Sequence, residues 1–171
     1  MGREGDFPTT PAIRALKAAQ VAYTAHQYAY EPHGGTAQCA RQMGIPEHHV
    51  VKTIVLKTSE GKPLVMLMHG DAEISLNKLA RILGVKRVET CTVEEAERTS
   101  GYFVGGTSPF GFRKRVPVYA EASIFDLDWI VINGGARGFF VKIAPEVLRT
   151  VAAAEPVEAK QSDAPGGSAK A

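Results

Sequence analysis

The feature that most constrains the fold is a series of short apolar stretches separated by glycine-containing turns. Val50–Lys57 reads as a strand interrupted by Lys52 and Thr53, and Pro63–His69 follows it after a loop that contains Gly61. Short amphipathic helices lie between stretches of this kind, and most of the strands have a hairpin partner nearby in sequence. The pattern predicts an α+β fold with a mixed or antiparallel, partly closed sheet.

The ends of the folded region follow from caps, periodicity and composition. Thr10-Pro11 predicts a helix start with Thr10 as the N-cap, and the alternation over Tyr23–Tyr30 predicts a strand. Pro145–Ala154 is predicted as the last helix. Residues 1–8 are predicted to be a disordered lead. The residues after 154 are rich in Ala, Pro, Gly, Ser and Lys, which predicts a disordered tail over residues 155–171.

Composition bounds the class of protein. The chain has 171 residues, 44% of them apolar, which suffices for one domain with a real core. Its net charge of +2 permits contact with nucleic acid but falls short of a dedicated electrostatic binder. No apolar run approaches the roughly 20 residues that span a bilayer. Cys39 and Cys91 match no zinc-binding spacing, so we expect no metal and a reducing cytoplasm.

Lys52 is the sharpest single position, and two interpretations of it stay open. In the first, the strand lies at a sheet edge and Lys52 faces water. In the second, Lys52 is a positive charge at the floor of a cleft, where it holds a phosphate, a carboxylate or an ester oxygen. Strand alternation turns Thr53 to the opposite face, so its hydroxyl is not expected to share this task, although its backbone amide could.

Two glycine-rich loops are the other candidates for a site. Gly101–Gly111 contains the run Gly105-Gly106-Thr107-Ser108-Pro109, and bare backbone amides in such a loop make an anion or oxyanion site. The alternative is a turn that needs permissive residues. Asn133-Gly134-Gly135 lies between two predicted strands and is equally typical of a hairpin turn. Neither loop matches a phosphate-loop or dinucleotide fingerprint.

Other polar residues give weaker signals. Arg113–Arg115 is either a solvated basic turn or a patch for nucleic-acid phosphates beside the pocket mouth. The histidines have no metal-binding spacing, and His26 is expected to pack within its strand. Each cysteine is expected to be a small buried hydrophobe. The sequence therefore shows neither a catalytic triad nor a metal site.

Taken in order, these motifs resemble the YbaK/EbsC family, also called the prolyl-tRNA synthetase-associated editing domain family. The resemblance covers roughly residues 10–150 and is closest to the YbaK type, which clears Cys from mischarged proline tRNA. The segments that carry it are Thr10-Pro11-Ala12, His26 with Tyr28, Val51-Lys52-Thr53, Gly101–Gly111 and Gly134–Gly138.

The resemblance implies a trans-acting aminoacyl-tRNA deacylase with a mixed, partly barrel-like sheet surrounded by helices. It implies a domain over residues 9–154, no cofactor, the tRNA 3′ end as substrate, prolyl-tRNA synthetase as a partner, and a monomer. Lys52 would contact the terminal phosphate or the ester, and the substrate's own thiol would attack its carbonyl. The implied substrate-binding residues are Tyr28, Thr53, Gly105, Gly106, Thr107, Ser108, Pro109, Asn133, Gly134 and Gly135.

Two positions depart from the pattern of the family. YbaK-type relatives can carry a carboxylate near the position of Phe140, and a serine occurs in some members where this chain has Asn133. Both departures are compatible with the deacylase class, and they leave open which amino acid is removed from the tRNA. A relative specific for alanine would activate a water, and a non-catalytic tRNA- or nucleotide-binding module of the same fold is the alternative from another class.

Overall fold

The computed structural model describes residues 7–162, and a mixed sheet of eight strands forms its centre. This confirms the α+β class predicted from the sequence. The helices are α1 (Pro11–Ala18), α2 (Gly35–Met43), α3 (Leu76–Leu83), α4 (Val93–Ser100) and α5 (Val147–Thr150). The strands are β1 (Thr24–Gln27), β2 (Val50–Thr58), β3 (Pro63–His69), β4 (Val88–Thr90), β5 (Val118–Glu121), β6 (Ile130–Ala136), β7 (Phe139–Ile143) and β8 (Glu155–Val157).

The sheet joins antiparallel hairpins through parallel contacts. Its strand order is β1-β7-β6-β2-β3-β5-β8, an open path within residues 7–162. The pairs β2–β3 and β6–β7 are antiparallel hairpins, as the sequence predicted. Parallel pairing joins β2 to β6, β3 to β5 and β5 to β8. No helix in this part of the chain has the length and apolarity needed to cross a membrane.

Strand β2 has a gap along one of its two edges. One edge pairs with β3 along nearly the whole strand. The other edge pairs with β6 at Val50 and Val51 and with β4 at Leu56–Thr58. Between these two partners, no strand from the described part of the chain lies beside residues 52–55 on that edge. The sheet is therefore split at its centre, next to Lys52.

The hydrophobic core lies on both faces of the sheet. Val51 of β2 packs in the same cluster as Leu16 of α1, and Leu56 packs in a second cluster with Leu79 of α3. Val51 and Leu56 pack in different clusters because successive side chains of a strand point to opposite faces of the sheet, so odd-numbered and even-numbered residues of β2 face opposite sides. A third, smaller cluster includes Phe140 and residues of α2. Helices therefore cover both faces, and β2 is held from each side.

The predicted start of the first helix is confirmed. The Thr10 hydroxyl accepts a hydrogen bond from the Ile13 amide at 3.1 Å, and Pro11 occupies the first turn. Thr10 also donates to the Gly134 carbonyl at 2.5 Å. The helix cap therefore ties α1 to the end of β6, which borders the gap.

Two predicted elements are shorter than the sequence pattern indicated. β1 covers Thr24–Gln27 rather than Tyr23–Tyr30, and it ends at Gln27 because Gln27 pairs with Phe139, the first residue of its partner β7. The last helix, α5, has four residues rather than the ten of Pro145–Ala154. Ala153 adopts a positive φ of 53°, which is incompatible with a continued helix.

Both ends that were predicted to be disordered include residues that the structure describes, namely 7–8 and 155–162. Residues 155–157 form β8 beside β5, so the prediction of a disordered tail is wrong at its start. Ala159 is fully buried, and Lys160 makes a bridge with Ile74. Phe7 stacks on Phe139 with ring centroids 5.9 Å apart, although the lead was predicted to be disordered. Residues 1–6 and 163–171 lie outside the described part of the chain.

Candidate functional site

A cavity of about 630 Å³ opens beside the unpaired edge of β2. Its lining contains two basic side chains, Lys52 and Arg137, and no carboxylate among the described residues. A cavity with this charge favours an anionic ligand. The lining residues are Tyr28, Tyr30, Pro32, His33, Gly35, Thr36, Val51, Lys52, Thr53, Ile54, Val55, Val93, Ala96, Val104, Gly105, Thr107, Asn133, Arg137 and Phe140.

Lys52 is one of the residues that line this cavity. Its side chain is 20% exposed, and its ammonium nitrogen is 3.4 Å from Oε1 of Glu73, which lies outside the lining. Lys52 therefore combines the two interpretations, because it lies at an unpaired strand edge and also lines the cavity. The hydrogen bond to Glu73 is long and partly exposed and uses one of the three ammonium hydrogens, so two remain available for a ligand.

The open edge of β2 turns backbone groups toward the cavity. The Gly70 amide donates to the Val50 carbonyl at 2.6 Å, and the Thr58 amide donates to the Lys62 carbonyl at 2.8 Å. The backbone N–H and C=O groups of even-numbered residues in β2 therefore point toward β3, and those of odd-numbered residues point toward the opposite edge. It follows that the N–H and C=O groups of Thr53 and Val55 face the gap. A ligand in the cavity meets both donors and acceptors there.

Thr53 lines the same cavity as Lys52 although strand alternation puts the two on opposite faces. The cavity passes beside the strand edge and so reaches both faces of the strand. The Thr53 hydroxyl is buried and has no hydrogen-bond partner within the described chain. A buried hydroxyl without a partner is uncommon in native proteins, so a bound ligand or water is the expected partner.

The five residues from Gly105 to Pro109 divide into two groups. Gly105 and Thr107 line the cavity. Gly106 packs against the β6–β7 turn, where a Cβ would lie 2.9 Å from the Ala136 carbonyl carbon. Ser108 and Pro109 are buried, and the Ser108 hydroxyl accepts from the Phe110 amide at 3.2 Å. Gly106, Ser108 and Pro109 therefore shape the loop without lining the cavity.

The last residues of β6 divide in the same way. Asn133 lines the cavity, whereas Gly134 and Gly135 do not. A bulge between Asn133 and Ala136 interrupts the β6–β7 register there. Gly135 has φ +102°, and a Cβ on it would lie 2.9 Å from both Thr10 and Tyr102. Both glycines therefore permit close packing behind the cavity wall, which is a structural role.

Part of the cavity wall is aromatic. Tyr28 lies beside Phe140, with ring centroids 5.5 Å apart, and burial raises the pKa of the Tyr28 hydroxyl to about 12. Tyr28 therefore acts as a neutral group. The sequence did not place Tyr30, His33 or Arg137 at the site, because Tyr30 and His33 lie in a loop without a motif and Arg137 was noted only as a member of the Gly134–Gly138 turn.

The reactive side chains elsewhere in the described chain are poorly suited to catalysis. Burial raises the pKa of Cys39 to about 12 and also raises the pKa of Cys91. His48, His69 and Asp71 lie close enough together to hold a metal ion, but they lie outside the cavity lining. Both ring nitrogens of His69 are already engaged, one with the His48 carbonyl and one with the Ser123 hydroxyl, each at 2.7 Å.

The basic turn Arg113–Arg115 lies next to the end of α4. The Arg113 amide donates to the Ser100 carbonyl at 2.9 Å, and all three basic residues are exposed. They are not part of the cavity lining. His26, which the resemblance also used, makes a local contact with the Thr24 hydroxyl at 3.2 Å and lies outside the lining as well.

The fold and the cavity define a ligand-binding domain, and comparison with known proteins gives its family. A model of the aminoacyl-tRNA editing domain matches residues 31–151, and the chain belongs to this family. It is 31% identical over 149 residues to a protein of Enterococcus faecalis named as a candidate Cys-tRNA(Pro)/Cys-tRNA(Cys) deacylase, EbsC. That match covers 86% of this chain and 91% of the relative.

More distant matches agree with this placement. A proline–tRNA ligase of Geobacter metallireducens is 32% identical over 100 residues, which are 58% of this chain and only 17% of the ligase. A solved structure described as a candidate trans-editing enzyme for prolyl-tRNA synthetase has a TM-score of 0.75 at 20% identity. That alignment covers 91% of this chain and all of the other, and at this identity it shows the fold.

Proposed function

We propose that this protein is an aminoacyl-tRNA deacylase that edits mischarged tRNA in trans. Its substrate is the ester between a small amino acid, cysteine foremost, and the 3′-terminal ribose of proline tRNA. Family membership and the likeness to EbsC support the class of reaction. The observation that carries the proposal is the cavity, where Lys52 and the loop Gly105–Pro109, here called the Gly105 loop, meet the unpaired edge of β2.

The size and charge of the cavity suit the end of an aminoacylated tRNA. A volume of about 630 Å³ lies within the usual range for small-ligand pockets and has room for a nucleoside with a small aminoacyl group. Lys52 and Arg137 supply charge for a phosphate or an ester oxygen. Phe140 and Val55 give an apolar wall that limits the side chain of the amino acid.

The chemistry follows from where charge develops during ester hydrolysis. Water attacks the ester carbonyl carbon, and the carbonyl oxygen becomes negatively charged. Lys52 and the amides of the Gly105 loop stabilise that oxyanion. The bond from carbon to the ribose oxygen then breaks, and the ribose oxygen takes up the proton lost by the water. The products are free tRNA and the amino acid.

A cysteine ester has a faster route through its own thiol. The thiol sulfur attacks the carbonyl, its proton passes to the ribose oxygen, and the tRNA leaves as a thiolactone forms. Water then opens the thiolactone to free cysteine. The protein supplies position and electrostatics and needs no nucleophile of its own. The raised pKa values of Cys39 and Cys91 agree with this division of labour.

The setting of the reaction belongs to the same proposal. The mild net charge of +2 favours a partner, prolyl-tRNA synthetase, that supplies most of the tRNA recognition. The exposed Arg113–Arg115 turn contributes contacts to phosphates. We place the protein in the cytoplasm as a monomer that works without a cofactor.

The test is deacylation of Cys-, Ala- and Ser-charged proline tRNA by the purified protein. Hydrolysis of the Cys ester alone supports the thiol-assisted route. Hydrolysis of the Ala or Ser ester keeps the deacylase class and moves the mechanism to an activated water. If no ester is hydrolysed while charged tRNA still binds, the protein is a binding module of the same fold and the proposal is wrong.

A further inference from the structure

An exposed aromatic ring stands just outside the cavity. Phe103 is 72% exposed, more than any other large apolar side chain in the described part of the chain. It precedes Val104 and Gly105, both of which line the cavity. Phe103 and the partly exposed Val104 form apolar surface continuous with the cavity, and exposed apolar surface of this kind marks a ligand-binding groove.

Arg137 lies over the rings of Phe103 and Tyr30 and contacts both. Its guanidinium carbon lies 5.9 Å from the centre of the Phe103 ring and 5.5 Å from the centre of the Tyr30 ring. Its Nε donates to the Val104 carbonyl at 3.0 Å, which ties the arginine to the backbone beside Phe103. The Tyr30 hydroxyl lies against Gly105, where a Cβ would be only 2.7 Å away.

We propose that Phe103 and Arg137 form a stacking platform for the 3′-terminal base of the RNA. Unpaired bases stack on aromatic rings and on guanidinium planes, and every base offers such a face. The platform adjoins the cavity, so a base held on it leaves its ribose at the cavity mouth. The positive charge of Arg137 also suits the adjacent phosphate. This inference rests on the proposed function, because that function supplies an RNA 3′ end.

Stacking of this kind acts on binding rather than on the reacting bond. The Phe103 ring lies outside the cavity lining, of which Lys52 is a part, so the contacts of this ring with a base are the same in the ground state and in the transition state. Loss of such uniform binding raises KM and leaves kcat unchanged. Removing one stacking ring weakens binding by about 5- to 100-fold.

The kinetic test uses Phe103→Ala, with Phe103→Trp as the conservative variant. We expect Phe103→Ala to raise KM for charged tRNA by about tenfold with kcat unchanged, and Phe103→Trp to restore KM. Ile82→Ala is the matched control, because Ile82 is also an exposed apolar residue, at 47%, and lies on α3 outside the cavity lining. The inference is overturned if KM does not respond to Phe103→Ala in an active enzyme.

A binding test separates this inference from the proposed function. The probe is an uncharged RNA minihelix that carries 2-aminopurine as its 3′-terminal base, whose fluorescence is quenched on stacking. We expect quenching with the wild type and with Phe103→Trp, and recovery of fluorescence with Phe103→Ala. This readout needs no deacylation. Equal quenching by the wild type and Phe103→Ala would reject the platform.

Capture of a protein partner is the competing use of such a ring. If Phe103→Ala weakens binding to purified prolyl-tRNA synthetase and leaves the minihelix affinity unchanged, the platform inference is also overturned. Both variants should melt at the wild-type temperature, because a side chain this exposed contributes little to the core.

Discussion

Asn133 holds the Gly105 loop against the end of β6. Its Nδ2 donates to the Gly105 carbonyl at 3.2 Å and to the Ala136 carbonyl at 3.1 Å, and its Oδ1 accepts from the Gly135 amide at 2.6 Å. Both amide hydrogens are therefore in use. Asn133 lines the cavity mainly as the residue that positions the loop.

Shortening this side chain should loosen the loop. A serine at this position cannot reach both carbonyls, so we expect Asn133→Ser to lower kcat/KM by about tenfold and stability by about 1–3 kcal/mol. Steady-state deacylation and thermal melting measure the two effects. Asn77→Ser, on α3 outside the cavity lining, is the matched control and should change neither. An unchanged kcat/KM in Asn133→Ser would contradict the positioning role.

Lys52 should be required for activity and dispensable for folding. Removing one group that stabilises an oxyanion lowers kcat by about 100-fold or more, and we expect a loss of this size in Lys52→Ala. Because Lys52 is not part of a hydrophobic cluster, the melting temperature of the Lys52→Ala protein should stay near that of the wild type.

Lys57 on the same strand provides the control for Lys52. It pairs with Glu95 at 2.7 Å and does not line the cavity, so Lys57→Ala should keep its activity. A Lys52→Ala protein that melts early yet remains active would show that Lys52 is structural.

Phe140 should limit the size of the accepted amino acid. It is 7% exposed and forms part of the cavity wall. We expect Phe140→Leu to raise hydrolysis of bulkier esters relative to the Cys ester, at a stability cost of about 1–2 kcal/mol. Competition assays with differently charged tRNAs measure the ratio. Phe125→Leu, outside the lining, should leave the ratio unchanged; an equal shift in both variants would contradict this role for Phe140.

The buried carboxyl of Glu121 should make stability depend on pH. Burial raises the pKa of Glu121, although its side chain accepts a hydrogen bond from the Ala159 amide at 3.0 Å. The folded state therefore binds a proton more readily than the unfolded state. This contribution to stability is present at low pH and is lost as the pH rises through the raised pKa.

Glu121→Gln keeps an acceptor and removes the charge. We expect the variant to gain stability over the wild type at pH 7, with the difference fading below about pH 4. Melting curves across that range test this. Glu60→Gln, in the exposed β2–β3 loop, should show no such trend. A constant difference at all pH values would mean that titration of Glu121 is not the cause.

Local sequence determined much of the fold. Thr10 and Pro11 predicted the start of α1, because a cap and a fixed φ act within one turn. The β2–β3 and β6–β7 hairpins followed from apolar runs joined by short turns. The start of the tail was predicted wrongly, since its composition gives no sign that residues 155–157 would pair with β5. That pairing is a contact between segments distant in sequence.

The site shows the same division between sequence and tertiary structure. The sequence by itself singled out Lys52 and the glycine loop, because a charge in an apolar strand and a run of glycines are local signals. Only the tertiary structure put Thr53 on the same cavity as Lys52, because the cavity follows the gap between β6 and β4. It alone brought Arg137 to Phe103, since packing and not sequence spacing sets the distance between loops.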